Sequence, residues 1–386
     1  MAVSAFADRD VRFGSGAIEL VGAVAGELEA RRVLLVRGKR SFTDSGAHRL
    51  LPGLERAAKV EQWSDFAPNT DSADLAVGLR LVEQFEPDLV IAVGGGSAMD
   101  MAKLLCAYRG TTGSEELRER IRSGAAVAER STRLVLAPTT SGSGAEATHF
   151  AVVYIGEEKF SIAGPAMLPD AVVLDPALTV SGSPYQRATS GIDALAQAVE
   201  SLWSVGATDA SRGFARQALP LLLGALEDFA VRPDSDSARA MSLGAHLAGR
   251  AIDLSKTTAA HALSYGVTKR HGLSHGHAVA VTLGAFIEAH ADAAPARLQA
   301  AVDPDRHRST MDEILAALGA EDGRAARSKF TGLLERIGLE PRLSAIDGLT
   351  DTGRRELAAA VNTERLGNNP VAFGPDELAE LMLSLP

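Results

Sequence analysis

Four of the nine histidines, His261, His271, His275 and His277, lie within one short stretch of the chain. His261 sits in Ala260-His261-Ala262-Leu263-Ser264-Tyr265, and His275 opens His275-Gly276-His277. Upstream, Gly191-Ile192-Asp193-Ala194-Leu195-Ala196-Gln197 places Asp193 and Gln197 four residues apart, on one face if the segment is helical. His261 from a second helix and His275 from the loop after it can meet that face. Carboxylate, amide and imidazole donors together suit a borderline or harder divalent ion such as Fe2+, Zn2+, Mn2+ or Ni2+. Each piece also has a bland reading: a solvated aspartate on an Ala-rich helix, or a histidine satisfied by packing.

A second group of residues has the make-up of a phosphate cradle. The apolar run ending at Val93 enters Gly94-Gly95-Gly96-Ser97, followed by Asp100 and Lys103. Glycines let the backbone approach a ligand without a β-carbon in the way. Ser97 is expected to cap the helix that follows, whose free N–H groups attract a pyrophosphate. The competing reading is a plain strand-to-helix turn. Pro138-Thr139-Thr140-Ser141-Gly142-Ser143-Gly144-Ala145-Glu146 follows another apolar run and offers hydroxyls to a ribose or a nicotinamide amide. Two such loops at strand ends fit ligand binding outside the carboxyl edge of a sheet. Arg37-Gly38-Lys39-Arg40 ends the first run with three cations and no acid, which favours NADP over NAD. A solvated charged turn is the alternative.

The elements that must carry these residues change character along the chain. Arg32–Val36, Asp88–Val93, Arg133–Ala137 and Ala171–Leu174 are short β-branched runs separated by helical stretches, the pattern of a parallel α/β sheet. Beyond about Pro184, Ala/Leu-rich helical spacing takes over in Gln186–Leu202, Ser211–Phe229 and Ser237–Leu254, and Pro375–Leu383 reads as a last helix. The expected fold is an α/β N-terminal domain with a parallel sheet, residues 1–184, and an all-α C-terminal domain, residues 185–386.

A formal charge of −10, from 49 acidic and 39 basic residues, lacks the basic surface that nucleic acid requires. Cys106 is the single cysteine, so an intrachain disulfide and a four-cysteine zinc site are excluded. Asp8, Arg9 and Asp10 interrupt any apolar leader core, and no run approaches membrane-spanning length. The expected location is cytoplasmic.

In order and spacing, the Gly94-Gly95-Gly96-Ser97 loop, Pro138–Glu146, Asp175-Pro176, Gly191–Leu195, His261 and His275-Gly276 resemble the iron-containing (group III) alcohol dehydrogenases over nearly the whole chain. The resemblance implies a dinucleotide domain, a helical domain, an active site in the cleft between them and commonly a homodimer. It implies a divalent ion, Fe2+ or Zn2+, held by Asp, His, His and His. Here Asp193, His261 and His275 take three places and Gln197 the second, where an amide oxygen is a weaker donor or holds a water. Gly38, Gly94, Gly95, Gly96, Ser97, Asp100, Thr139, Thr140, Ser143 and Lys159 are the candidates for holding NADP or NAD. Tyr265 stands where many relatives carry a histidine facing the nicotinamide; it either fills that space or passes a proton.

One branch is similar in more detail, the phosphonoacetaldehyde reductases. The similarity rests on Asp193–Ser204 with Gln197, Glu200 and Trp203, on Lys256–Tyr265, on Gly276-His277-Ala278 and on Asn362–Pro370 with Glu364. It implies reduction of phosphonoacetaldehyde to 2-hydroxyethylphosphonate, with Lys256 the first choice for the anionic head and Lys269, Arg270 and Arg250 nearby. Hydride transfer would be assisted by the ion as a Lewis acid, with Tyr265, His277 or solvent completing the proton balance. Succinic semialdehyde and lactaldehyde are alternative substrates. A sugar-phosphate cyclase resembling dehydroquinate synthase and a non-catalytic nucleotide-binding protein are the rival classes.

Overall fold

The computed structural model describes residues 4–6, 8–361 and 363–385; Asn362 and the side chains of Thr363 and Glu364 lie outside the described residues. Two compact units divide the chain, one over Ser4–Gly182 and one taking the described chain from Ser183 onward.

In the first unit, β1 (Val11–Phe13), β2 (Arg32–Arg37), β3 (Lys59–Trp63), β4 (Leu89–Gly94), β5 (Arg133–Pro138) and β8 (Ala171–Leu174) form one sheet in the order β1-β8-β5-β4-β2-β3. Every pairing in it is parallel. The central strands read as unbroken apolar runs because both faces are covered. Leu34, Val36, Val90, Ala92, Leu134 and Leu136 enter one core with the helices Ser72–Phe85 and Gly96–Ala107. Their neighbours Val33, Leu35, Leu89, Ile91, Val93 and Val135 enter the opposite core with Ile18, Val21 and Leu54. Two strands, β6 (Phe150–Ile155) and β7 (Glu158–Ala163), form a separate antiparallel hairpin about Gly156-Glu157.

The second unit is helical. Its long helices begin two residues before the apolar spacing does, at Pro184, Asp209 and Ser235, because the caps lie outside the periodic part. Ser183 Oγ accepts from the N–H of Gln186, and Thr208 with Ser211 and Asp234 with Ser237 form capping boxes. Gly191 lets Pro184–Trp203 lie flat on its neighbours: a β-carbon there would come within 2.4 Å of Leu226 and 2.8 Å of Met241. The helices Ala259–His271 and His275–Ala291 follow, separated by Gly272 in the left-handed region at φ 69°. The expected last helix is Pro375–Ser384.

Candidate metal centre

Asp193, His261 and His275 converge. Each offers a ligand atom, and the three atoms lie within 4.8 Å of one another. Asp193 Oδ1 stands 3.3 Å from His261 Nε2 and 3.9 Å from His275 Nε2. Asp193 and His261 are buried, at 6% and 4% exposure, while the side chain of His275 is 40% exposed, so the cluster is open on one side. His275 is not in a loop, as its place in the sequence suggested. It is the first residue of the helix His275–Ala291, after the cap Ser274.

The approach of the two helices depends on Gly276. A β-carbon there would lie 1.9 Å from the carbonyl oxygen of Thr189 and 2.9 Å from Cβ of Asp193. Only hydrogen fits, and that contact brings His275 beside Asp193.

The donors are oriented by a surrounding shell. Glu200 is fully buried one helical turn past Gln197, and its Oε2 lies 2.5 Å from His261 Nδ1. It also accepts from the Thr258 hydroxyl at 2.8 Å and from the N–H groups of Thr258 at 3.2 Å and Ala260 at 3.1 Å. Glu200 thus closes the N-terminus of Ala259–His271, where a carboxylate is favoured, and turns Nε2 of the imidazole towards Asp193. Gln197 Nε2 donates to Asp193 Oδ2 at 3.2 Å, leaving Oδ1 as the oxygen nearest the two imidazoles. Ser264 donates to the carbonyl of His261 and sits 3.3 Å from His275 Nδ1.

This donor set fits a divalent ion. His261 Nε2 is buried, and its contact with Asp193 Oδ1 at 3.3 Å falls short of a well-formed hydrogen bond, an arrangement that is costly unless something binds there. Burial opposes charge on His261, but Glu200 and Asp193 outweigh it and raise its pKa to about 10, so negative charge is in surplus. Burial likewise opposes ionisation of Glu200, and its contacts with His261 and Thr258 hold it below the ordinary carboxylate value nonetheless. One carboxylate and two imidazoles with further room for an exchangeable ligand is the composition of a catalytic rather than a structural site.

The remaining candidates divide. Tyr265 stacks on His275, ring centroids 5.9 Å apart and planes 11° off parallel. His277 is engaged at both nitrogens, by the Tyr185 hydroxyl at 3.2 Å and the Glu340 carbonyl at 2.7 Å, and burial lowers its pKa. Lys256 is exposed and follows Ser235–Ser255 with φ 58° and ψ 177°, a region almost reserved for glycine. Asn368 holds the backbone on both sides of it, donating to the carbonyls of Ser255 at 2.8 Å and Thr257 at 3.0 Å and accepting from the N–H of Gly206 at 2.8 Å.

In the first unit the two small-residue loops meet at the carboxyl ends of β4 and β5. A β-carbon on Gly95 would touch Thr140 at 3.6 Å, one on Gly96 would meet Ser143 Oγ at 3.0 Å, and Thr139 donates to the carbonyl of Gly94 at 2.9 Å. Gly38, at the end of β2, donates to the carbonyl of Val93 at 3.1 Å, so it joins the same edge. Ser97 does not cap the helix. The helix starts at Gly96 with Gly95 as its cap residue, and Ser97 Oγ accepts from the N–H of Asn69 at 3.1 Å. Gly95 has no side chain to accept from the first N–H groups of the helix, so no side-chain cap is made there. Asp100 accepts from Val152 N–H at 3.1 Å; burial raises its pKa to about 6 against the pull of Lys103, Val152 and Lys159. Lys103 is fully buried and pins the start of the hairpin, donating to the carbonyls of Thr148 and Phe150. Lys39 faces Asp65 at 2.9 Å and Arg37 donates to Gln62.

Comparison with known proteins agrees with this geometry. Residues 8–176 match the model of the iron-containing alcohol dehydrogenases, and residues 187–385 match that of the C-terminal domain of the same family. A phosphonoacetaldehyde reductase of Streptomyces viridochromogenes is 35% identical over 324 residues, 82% of this chain and 80% of that protein. A choline dehydrogenase of Bacillus subtilis is 29% identical over 80% of this chain and 78% of that one. The solved sulfoacetaldehyde reductase of Bifidobacterium kashiwanohense, in complex with NAD+, superposes with a TM-score of 0.85 at 29% identity, covering 98% of this chain and 96% of that one. With its two halves matched in order by the two models, the chain belongs to the iron-containing alcohol dehydrogenase family, and is an NAD(P)-linked alcohol dehydrogenase or aldehyde reductase.

Proposed function

We propose that the protein reduces phosphonoacetaldehyde to 2-hydroxyethylphosphonate, using NADPH in preference to NADH and a divalent ion, Fe2+ or Zn2+. The observation that carries the reaction class is the convergence of Asp193, His261 and His275 on one point. In this reading residues 1–184 hold the dinucleotide and residues 185–386 hold the ion. When bound, the ion supplies a Lewis acid for the aldehyde oxygen and the dinucleotide supplies hydride.

The chain's own residues do the rest. Asp193, His261 and His275 hold the ion, and Glu200 and Gln197 keep the donors oriented. Gly38, the Gly94–Gly96 turn, Thr139, Thr140 and Ser143 hold the dinucleotide, with its pyrophosphate on the free N–H groups of Gly96–Ala107. Tyr265, stacked on His275, is the nearer candidate to pass the proton that completes the alcohol, since His277 has both nitrogens engaged.

Two observations favour an anionic substrate. A lysine kept in a backbone region fit for glycine implies a use for its side chain, and Lys256 lies five residues before His261. The phosphonoacetaldehyde and sulfoacetaldehyde reductases to which the chain is similar are named for two-carbon aldehydes with an anionic head. NADPH is favoured by Arg37, Lys39 and Arg40 beside β2, although Lys39 already faces Asp65. We take the protein to be a cytoplasmic homodimer; within the described residues no helix is long and apolar enough to cross a membrane.

The deciding experiment is steady-state reduction of phosphonoacetaldehyde, succinic semialdehyde, lactaldehyde and propanal with each nucleotide, before and after chelation and re-addition of Fe2+ or Zn2+. The reading expects kcat/KM at least about tenfold higher for phosphonoacetaldehyde than for propanal, a difference of about 1.4 kcal/mol in transition-state binding. Equal rates with propanal would remove the substrate assignment, and turnover unaffected by chelation would remove the mechanism.

A further inference from the structure

The second unit contains a small pocket that the proposed reaction does not use. Trp203, Arg212, Asp303, Arg306, His307 and Thr310 are among its walls, and its cavity volume is about 40 Å3, room for a few water-sized groups. Arg212 is only 7% exposed, yet its Nε is buried with no hydrogen-bond partner. Its ion pair is poor: Asp209 stands 3.8 Å away and is fully solvated, where such contacts contribute little. Burial and repulsion from Arg306 and Arg216 depress the Arg212 guanidinium, and Asp209 only partly offsets them. Asp303 is no remedy, because its carboxylate caps the helix Pro304–Ala317 by accepting from the N–H of Arg306. A buried guanidinium short of acceptors is costly to keep, and a buried threonine hydroxyl, Thr310, stands in the same wall.

We infer that this pocket is a binding site for a small tetrahedral oxyanion, of the size and charge of inorganic phosphate, held by Arg212 with Arg306 and Thr310. Such an anion offers several strong acceptors to a forked donor. The site is separate from the metal cluster but touches its supporting shell. Trp203 lines the pocket and donates through Nε1 to the Thr258 hydroxyl at 3.0 Å; that hydroxyl donates to Glu200, the partner of His261. The inference does not rest on the choice of aldehyde.

The test is titration of inorganic phosphate into the metal-loaded, full-length protein, followed by calorimetry and by fluorescence in a Trp63→Phe background, where Trp203 is the only tryptophan left. Saturable binding is expected. Arg306→Ala, at the mouth, should weaken it at least about fivefold, and Arg212→Met should abolish it while leaving the melting temperature unchanged or higher, because an uncompensated buried charge is replaced by an apolar stem. If Arg212→Met does not fold, Arg306→Ala decides alone. Phosphate that fails to bind, binds equally to Arg306→Ala, or is displaced competitively by phosphonoacetaldehyde would overturn the assignment, the last outcome placing the anion at the substrate site instead.

Discussion

Glu200 and Asp193 grip opposite sides of one imidazole: Oε2 of Glu200 lies 2.5 Å from His261 Nδ1, and Oδ1 of Asp193 lies 3.3 Å from its Nε2. A carboxylate behind a metal histidine fixes the tautomer and raises the basicity of the donor nitrogen. Replacing Glu200 by Gln keeps the volume and removes the charge. Metal affinity is expected to fall by about 10–100-fold, read by competition with a chromogenic chelator. Wild-type affinity in Glu200→Gln would show that Glu200 serves only the helix end.

A proton must leave when the ion arrives. In the metal-free protein His261 has its pKa raised from 6.5 to about 10, burial being outweighed by its two carboxylates. A raised histidine pKa contributes stability that is complete below about 6.5 and is lost as pH climbs through the folded value. The metal-free protein should therefore lose melting temperature between pH 7 and 10 more steeply than its His261→Ala variant. Over the same window each ion bound should release about one proton from this ring. Calorimetry in two buffers of different ionisation enthalpy at pH 8 measures that number, and zero release would contradict the assignment of Nε2 as a donor.

His275 is the exposed member of the trio and can be removed with little harm to packing. His275→Ala is expected to lower kcat at least about 100-fold, about 3 kcal/mol of transition-state stabilisation, while the dissociation constant for NADPH changes less than threefold or so. Turnover retained by a metal-free His275→Ala protein would end the metal mechanism.

At Lys256, stability and selectivity should move in opposite directions. Lys256→Gly relieves a backbone held at φ 58° and ψ 177°. Such strain is of the order of 1–3 kcal/mol, and the freer unfolded glycine chain returns about 0.4–1 kcal/mol of it. Urea unfolding should show a gain near 1 kcal/mol. KM for phosphonoacetaldehyde should rise at least about tenfold with propanal unaffected; an equal rise for both would mean that Lys256 shapes the loop and does not meet the anion.

The most legible elements in the sequence are those buried on two sides. β2, β4, β5 and β8 stand out as continuous apolar runs because helices cover both of their faces. β1 has only three residues, and β3, at the sheet edge, carries Lys59, Glu61 and Gln62, so neither has an apolar signature. β6, Phe150–Ile155, is an apolar run as continuous as those of the sheet and is open to reading, whereas its partner β7 carries Glu158, Lys159 and Ser161 and alternates too briefly to stand out. In the site, Asp193, His261 and His275 are visible by residue type. Glu200 is less so, because one acid on an Ala-rich helix looks solvated; its signal was spacing, since 193, 197 and 200 fall on one helical face. Ser97 misleads because a serine beside glycines suggests a cap, whereas the helix begins two residues earlier than that cap would allow.

Gly276 also bears on which ion the cluster would accept. Its main chain rests against the Thr189 carbonyl, so the span between Asp193 and His275 is a matter of backbone touching backbone. That contact fixes how far apart the two main chains stand, and rotamers adjust the bite only within the reach of one aspartate and one histidine. Ions with bonds of about 2.0–2.2 Å to nitrogen and oxygen are suited to it, whereas calcium, asking for about 2.3–2.6 Å and at least six oxygens, would find both the reach and the donors wrong. Selectivity of this kind would be set by the spine of two helices together with the three donors themselves.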